Sequence, residues 1–301
     1  MRMNRIFALF LLLSGSLIAI AESNNLSIGI RGGAANYATD AEARSLFGPT
    51  LGIQASYSCL WSPSYTQLHL GIMTGIGMAW TQTGMSMEWQ SQYVNTDYRG
   101  RRLQYTMQGT AVQKDRQFQF EVPLFFAFRW KGIRLNLGPQ FMLVMPRTYS
   151  LSISEMSSEL SFLDYGVTMT DGAISGQLPA ERLSQTGKTL TPTFNLLLAV
   201  QAGYEFPLND QHAIGLMAYF DYGIWSSYSN PNPTNRFVDV APITDASMQA
   251  PEVAIYDLNA SFVTRVNYMS FGLRFYWNMS WDFHRMRGGH LAPRSGRVYR
   301  Q

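Results

Sequence analysis

The stretch EVPLFFAFRWKGIRLNLGPQFML, residues 121–143, alternates apolar and polar side chains on both sides of Lys131-Gly132. Before that pair the apolar residues are Phe118, Phe120, Val122, Leu124, Phe126, Phe128 and Trp130; after it they are Ile133, Leu135, Leu137, Pro139, Phe141, Leu143 and Met145. A period of two held over about thirteen residues is a pleated strand with one apolar face. A two-residue connection folds two such strands into an antiparallel hairpin. Pro123 and Pro139 interrupt the two halves, and a residue without an N–H should leave a bulge or a missing ladder bond at each.

The same period recurs at 26–34, 51–61, 68–80, 194–206, 214–224 and 269–277, giving eight strands with the opening pair. Short connections (62–66, 131–132, 207–211) alternate with long ones (81–116, 146–192, 225–261). This pattern predicts an all-β fold: an eight-stranded antiparallel up-and-down transmembrane β-barrel with short periplasmic turns and long extracellular loops. Tyr149, Leu151 and Ile153 keep the parity of the strand before them, and Tyr105 with Met107 suggest pairing beyond the membrane. A ten-strand count using 98–112 and 149–170 is the alternative, while 225–251, dense in Pro, Asn and Ser, reads as irregular.

Alternation does not say which face meets lipid, since a soluble barrel has the same period with its apolar face inward. The second face decides. It carries glycines such as Gly29, Gly33, Gly71, Gly75 and Gly77 among Arg31, Glu121, Arg129, Arg134, Glu205, Asp221 and Arg274. Glycine is poorly suited to a water-exposed strand surface but fits a narrow interior. Trp61, Trp130 and Trp277 fall at one set of strand ends and Trp80 and Trp225 at the other, as two aromatic girdles at headgroup level would. Charged residues make up only 14% of the chain, equal to the aromatic share and below the roughly 25% of soluble domains. The seven inward charges are expected to pair into a structural polar network filling the lumen.

The ends differ from this body. Residues 1–21 (MRMNRIFALFLLLSGSLIAIA) have the layout of a cleaved secretory signal, basic then apolar, ending Ala19-Ile20-Ala21. Residues 22–277 form the barrel domain, and 278–301 read as a basic periplasmic tail with five arginines. Between them the chain carries 16 basic and 19 acidic residues, so nothing marks a nucleic-acid-binding domain. The expected location is the bacterial outer membrane, reached by export through the inner membrane.

The stretches LSIGIRGGAANY (26–37), FEVPLFFAFRW (120–130), IRLNLGPQF (133–141), AVQAGYEFPL (199–208) and YMSFGLRFYW (268–277) resemble the PorT-like outer-membrane β-barrel family. The resemblance covers roughly 26–277 and implies a small eight-stranded barrel. The family's namesake serves protein export, but no residue here matches a motif that would carry that role over, and the basic tail departs from a barrel ending on its last strand.

No catalytic set is evident. Outer-membrane hydrolases need His with Ser or Asp near the extracellular rim. Here His69 and His212 fall near the periplasmic ends, and His284 and His290 lie in the tail, with no clustered carboxylates or thiols to complete a metal site. The single mature-chain cysteine, Cys59, has outward parity and reads as a small apolar residue. The chain is therefore expected to be a non-enzymatic barrel without cofactor or metal, its partners outer-membrane lipids and an extracellular or periplasmic protein or glycan. The alternatives are a subunit of a secretion or envelope-assembly machine and a narrow pore.

Overall fold

A computed structural model of the chain describes residues 23–39, 43–62, 68–97, 99–170, 183–189, 193–225, 228–229, 238–240, 253–255 and 265–281. The expected signal segment 1–21 and all of the tail after Trp281 lie outside the described residues. Eight strands form the barrel: β1 (Ser23–Thr39), β3 (Gly48–Trp61), β4 (Leu68–Thr96), β5 (Arg102–Trp130), β6 (Ile133–Val144), β10 (Thr193–Pro207), β11 (His212–Gly223) and β15 (Arg265–Trp281). Each pairs antiparallel with its sequential neighbour in this set, and β15 returns to β1, so the sheet is closed. Closure leaves no unpaired edge, the condition for a sheet to stand in hydrocarbon.

The expected parity holds in every stave. Outward side chains form an exposed apolar band, with Phe126 73% and Ile76 69% exposed, while Glu121 and Arg274 on the inner face are each 2% exposed. The tight turn between β5 and β6 places Lys131 at φ 47° and Gly132 at φ 88°. Gly132 cannot be replaced without strain, because a Cβ there would also strike the Tyr204 ring.

Two staves are far longer than the outward apolar alternation suggests. β4 and β5 each run 29 residues, and their pairing continues from Leu68↔Trp130 up to Thr96↔Arg102. Above the barrel rim the hairpin is widened into a sheet. β2 (Arg44–Leu46) pairs with β4, β7 (Arg147–Phe162) with β5, and β8 (Val167–Thr170) and β9 (Leu183–Thr189) both pair with β7. The segments weighed as ninth and tenth strands thus belong to this upper sheet and not to the barrel wall. The 225–251 region, expected to be irregular, contains β12 (Tyr228–Ser229) and β13 (Val238–Val240); β12 pairs with β15, and β13 pairs with β14 (Val253–Ile255). At the other end β15 reaches Trp281, four residues past the expected strand end, with Asn278–Trp281 paired to Asn24–Ser27.

Pro123 and Pro139 each fall in a gap of one of their two ladders. The β4–β5 ladder lacks its rungs between Thr74↔Leu124 and Gly77↔Glu121, and the β5–β6 ladder lacks them between Pro123↔Gln140 and Phe126↔Leu137. Register is unchanged across both gaps, so bonds are missing but there is no bulge. The Thr74 hydroxyl, on the outward face, donates to the Pro123 carbonyl at 3.0 Å, satisfying an acceptor that would otherwise face the apolar band. The second gap takes in Pro139, which stands opposite Leu124, while the β6–β10 pairing on its other side is continuous.

Candidate functional site

The inner face gathers six of the seven expected charged residues into two groups of three, with Arg274 between them. In the first, β1 supplies Arg31, β5 Glu121 and β11 Asp221. Arg31 forms an ion pair with Glu121 and approaches Asp221 at 3.4 Å. Gln119 donates to Glu121 at 2.9 Å and to the Tyr268 hydroxyl at 3.1 Å, while Ser270 donates to Asp221 at 2.9 Å. The Arg31 guanidinium lies 5.3 Å from the centre of the Tyr219 ring. The carboxylates are therefore held by charge-assisted bonds inside a lumen that offers them little solvent.

The second group sits nearer the short turns. Glu205 accepts from Arg134 at 2.5 Å, pairs with Arg129 Nε at 3.0 Å, and accepts from the Tyr276 hydroxyl at 3.1 Å. One carboxylate thus holds two arginines that face each other across the β5–β6 ladder, Arg129↔Arg134, where like charges would otherwise repel. Arg134 also donates to Ser58 at 3.2 Å.

Arg274 lies between the groups and is different. It stands opposite Arg31 in the β1–β15 ladder but forms no ion pair among the described residues. Its guanidinium donates to Gln201 at 3.1 Å and Ser56 at 3.1 Å, and it lies 5.2 Å from the Tyr276 ring centre. Neutral acceptors and an aromatic face take the place of a carboxylate. Four arginines face three carboxylates here, and of the four only Arg129 is partly exposed.

Tyr276 is the joint between these parts, with Arg134 on one side of its ring environment at 5.6 Å. A Cβ at position 215 would lie 2.0 Å from the Tyr276 ring, so Gly215 is the space into which that ring packs. Tyr219, Tyr268 and Tyr276 were not among the residues expected in the lumen. Parity could have found all three, since Tyr268, Ser270, Gly272, Arg274 and Tyr276 alternate on one face and Tyr219 shares the parity of Gly215 and Asp221. Apolar groups also enter the lumen: Leu60, Met73, Phe125, Ala127 and Ala199 pack together, as do Ala35, Tyr37, Met142, Val144, Leu197 and Tyr268. The interior is filled with side chains.

Trp61, Trp130 and Trp277 occupy the turn end of the wall, where Trp277 stacks on His212 at 5.2 Å. Trp80, paired with Leu51 and Phe118, and Trp225, just past β11, occupy the loop end. Cys59 has the outward parity yet is buried. His69 and His212 are on the turn side, and no cluster of three metal-binding side chains occurs among the described residues.

The feature that sequence reasoning missed lies above the rim. On β4 the inner face changes from Gly75, Gly77 and Ala79 to Met85 and Trp89; on β5 it changes from Glu121, Gln119 and Gln117 to Ala111, Met107, Tyr105 and Leu103. With Leu151, Ile153 and Leu160 of β7 these form a buried apolar core outside the barrel. The outer face changes in the opposite sense, from Ile76, Met78 and Trp80 to Gln82, Ser86, Glu88 and Gln90. A bulge in β7, where residues 155 and 156 oppose the single Gly109 of β5, flips the parity of β7 so that Leu160 still points to the same core. At the tip, Asp97 accepts from the backbone N–H of Arg99 and of Arg101, each at 2.9 Å, closing the hairpin.

No protein-family model and no curated protein sequence matches the chain. The PorT-like resemblance therefore rests on the quoted residues alone. Among solved structures the chain is similar to Ail, the attachment invasion locus protein of Yersinia pestis, at 10% identity and TM-score 0.25, covering 87% of this chain and 100% of that one. It is also similar to Neisserial surface protein A, at 7% identity and TM-score 0.24 over 84% and 96%. A third is the outer membrane protease OmpT of Escherichia coli, at 9% identity and TM-score 0.28 over 88% and 98%. Likenesses this distant concern barrel architecture and carry no activity across.

Proposed function

We propose that the chain is an integral protein of the bacterial outer membrane that acts without catalysis, using its barrel as an anchor and its upper sheet as the surface that meets other molecules. The observation that carries this reading is the exchange of polarity on β4 and β5 at Trp80 and Phe118. Below that rung the outer face suits hydrocarbon, and above it the outer face suits water around a separate apolar core. The short turns are then periplasmic and the upper sheet extracellular. The packed, ion-paired lumen is a plug that fixes the wall and leaves no wide channel.

The test is side-specific labelling in intact cells. With Cys59 replaced by serine, a cysteine at Gln92 should react with a membrane-impermeant maleimide, whereas one at Asn209 should react only after the outer membrane is opened. The reverse pattern would invert the topology, and equal labelling of both would remove the membrane assignment. Planar-bilayer recording of the wild-type protein should show no large steady conductance; such a conductance would replace the plug with a pore.

A further inference from the structure

Immediately above the apolar band, three strands of the upper sheet present a grid of outward side chains. The ladder registers align Arg116 with Thr148 and Thr148 with Lys188, and in the next row Lys114 with Ser150 and Ser150 with Thr186. All six are exposed, and they line a depression of about 520 Å³. None of the three cations forms an ion pair among the described residues; Arg116 makes only a long bond to Gln82, at 3.3 Å. The outward positions beside the grid on β4 are Gln82 and Gly84, so no carboxylate neutralises it from that side. Elsewhere the same sheet does neutralise its arginines: Arg101 pairs with Asp97, Arg102 with Asp164 and Arg147 with Asp115.

The second observation is what lies one step below. Phe118 and Phe120 of β5, Met145 just after β6 and Phe194 of β10 are exposed on the same outward face, directly beneath the grid. Met145 N–H donates to the Phe118 carbonyl at 2.8 Å, so wall and grid are one continuous surface. Adjacent strands are about 4.8 Å apart and alternate residues about 6.6–7 Å apart, which spreads the cations over more area than one phosphate occupies. A ligand matching both parts has several anionic groups at headgroup height, hydroxyls for the Thr and Ser positions, and acyl chains for the phenylalanines. We infer that this surface binds a phosphorylated glycolipid of the outer leaflet, its phosphates on Lys114, Arg116 and Lys188 and its acyl chains along Phe118, Phe120 and Phe194.

This inference rests on the membrane reading above, and the experiment separates the two. Full-length protein is reconstituted in phosphatidylcholine vesicles containing either a bisphosphorylated diglucosamine glycolipid or the same lipid with its phosphates removed. Formation of the folded barrel is checked by its heat-dependent gel mobility, and bound glycolipid is measured after gentle detergent extraction. Wild type should retain the phosphorylated lipid in preference to the dephosphorylated one. Each of Lys114→Gln, Arg116→Gln and Lys188→Gln should weaken retention roughly threefold and the triple variant more than about tenfold, with gel mobility unchanged because all three side chains are exposed. Equal retention of both lipids by wild type, or wild-type retention by the triple variant, overturns the proposal while the barrel reading stands. Displacement of the glycolipid by millimolar inorganic phosphate would assign the grid to a soluble anion and overturn the lipid assignment. Failure of the wild type to fold into vesicles of either composition would overturn the membrane reading itself.

Discussion

The lower and upper halves of the β4–β5 hairpin share one ladder, one register and one parity, yet the dominant polarity of each face is exchanged between them. Below the Trp80↔Phe118 rung, the side chains pointing away from the barrel axis are largely Leu, Ile, Met and Phe, and those pointing toward it include Gly71, Gly75, Gly77, Gln119 and Glu121, with Met73, Ala79, Phe125 and Ala127 among them. Above it, the axial side holds Met85, Trp89, Tyr105 and Met107, and the outer side holds Gln82, Ser86, Glu88 and Gln90. Backbone pairing is indifferent to this exchange, because ladder bonds do not depend on which face is apolar. The surroundings of each half decide it: hydrocarbon below, water above. The two halves also stabilise themselves differently. The lower half relies on a closed ladder and on charge pairs shielded from water, the upper half on burial of apolar area.

That contrast can be broken most directly in the lumen. Glu205→Ala leaves Arg129 and Arg134 facing each other without their carboxylate, and loss of one partner of a buried pair costs about 3–5 kcal/mol. Urea unfolding of the barrel in micelles should register the whole loss, while limited proteolysis of the upper sheet is unchanged. The mirror experiment is Leu151→Ala, at a position with 0% exposure in the upper core. It should cost about 2–5 kcal/mol of local stability, seen as faster amide exchange in β5 above Phe118 and in β7, with barrel unfolding unaltered. If either change destabilises both halves equally, the hairpin is one cooperative unit and the division fails.

A third pair sharpens the position of the boundary. Val122→Arg places a charge on the outer face in the middle of the apolar band and should cost about 2–4 kcal/mol, whereas Val112→Arg, on the same face above the rim, should cost about 0–0.5 kcal/mol. Similar costs at both sites would mean that the solvent changes elsewhere. The smallest effect is expected at the tip. The Arg102 backbone N–H, then its side chain, hold the Asp164 carboxyl below its usual range. A depressed folded-state pKa contributes stability above the unfolded value of about 3.9 and loses it as pH falls through the lower, folded one. Amide exchange near Gly166 should therefore rise only below about pH 4, and Asp164→Asn should remove that pH dependence.

Much of the barrel was readable because parity is a local property. Phe118 to Trp130 and Ile133 to Met145 declare their faces without reference to any distant residue, and the eight staves follow. The lumen charges were readable by the same rule, which assigns Arg31, Glu121, Arg129, Arg134, Glu205, Asp221 and Arg274 to the inner face. Parity gives no height, however. Whether Arg31 meets Glu121, 90 residues away, depends on the stagger accumulated around the barrel, which no single strand encodes. The upper sheet was hidden for another reason. Its strands alternate as regularly as those of the wall, but with the polarities exchanged, so a reading that follows the outward apolar column ends β4 at Trp80 and begins β5 at Phe118. Tyr149, Leu151 and Ile153 gave a partial sign of β7, whereas its pairing with β9 joins residues thirty or more positions apart and left no local trace.

From the Gly77↔Glu121 rung upward the β4–β5 pairing is continuous, and this sets a length. From Gln82 to Thr96 it rises roughly 50 Å along the strand at about 3.3 Å per residue, or about 40 Å vertically at a barrel strand's usual tilt. Moving as one rigid piece, it would act as a mast, and a change of about 5° in the angle at its base would carry the Asp97 tip sideways by about 4 Å. A molecule docked at that tip would be held at a defined distance from the membrane surface, and any pull on it would be delivered as leverage to the Arg31 and Glu121 rungs at the mast's foot.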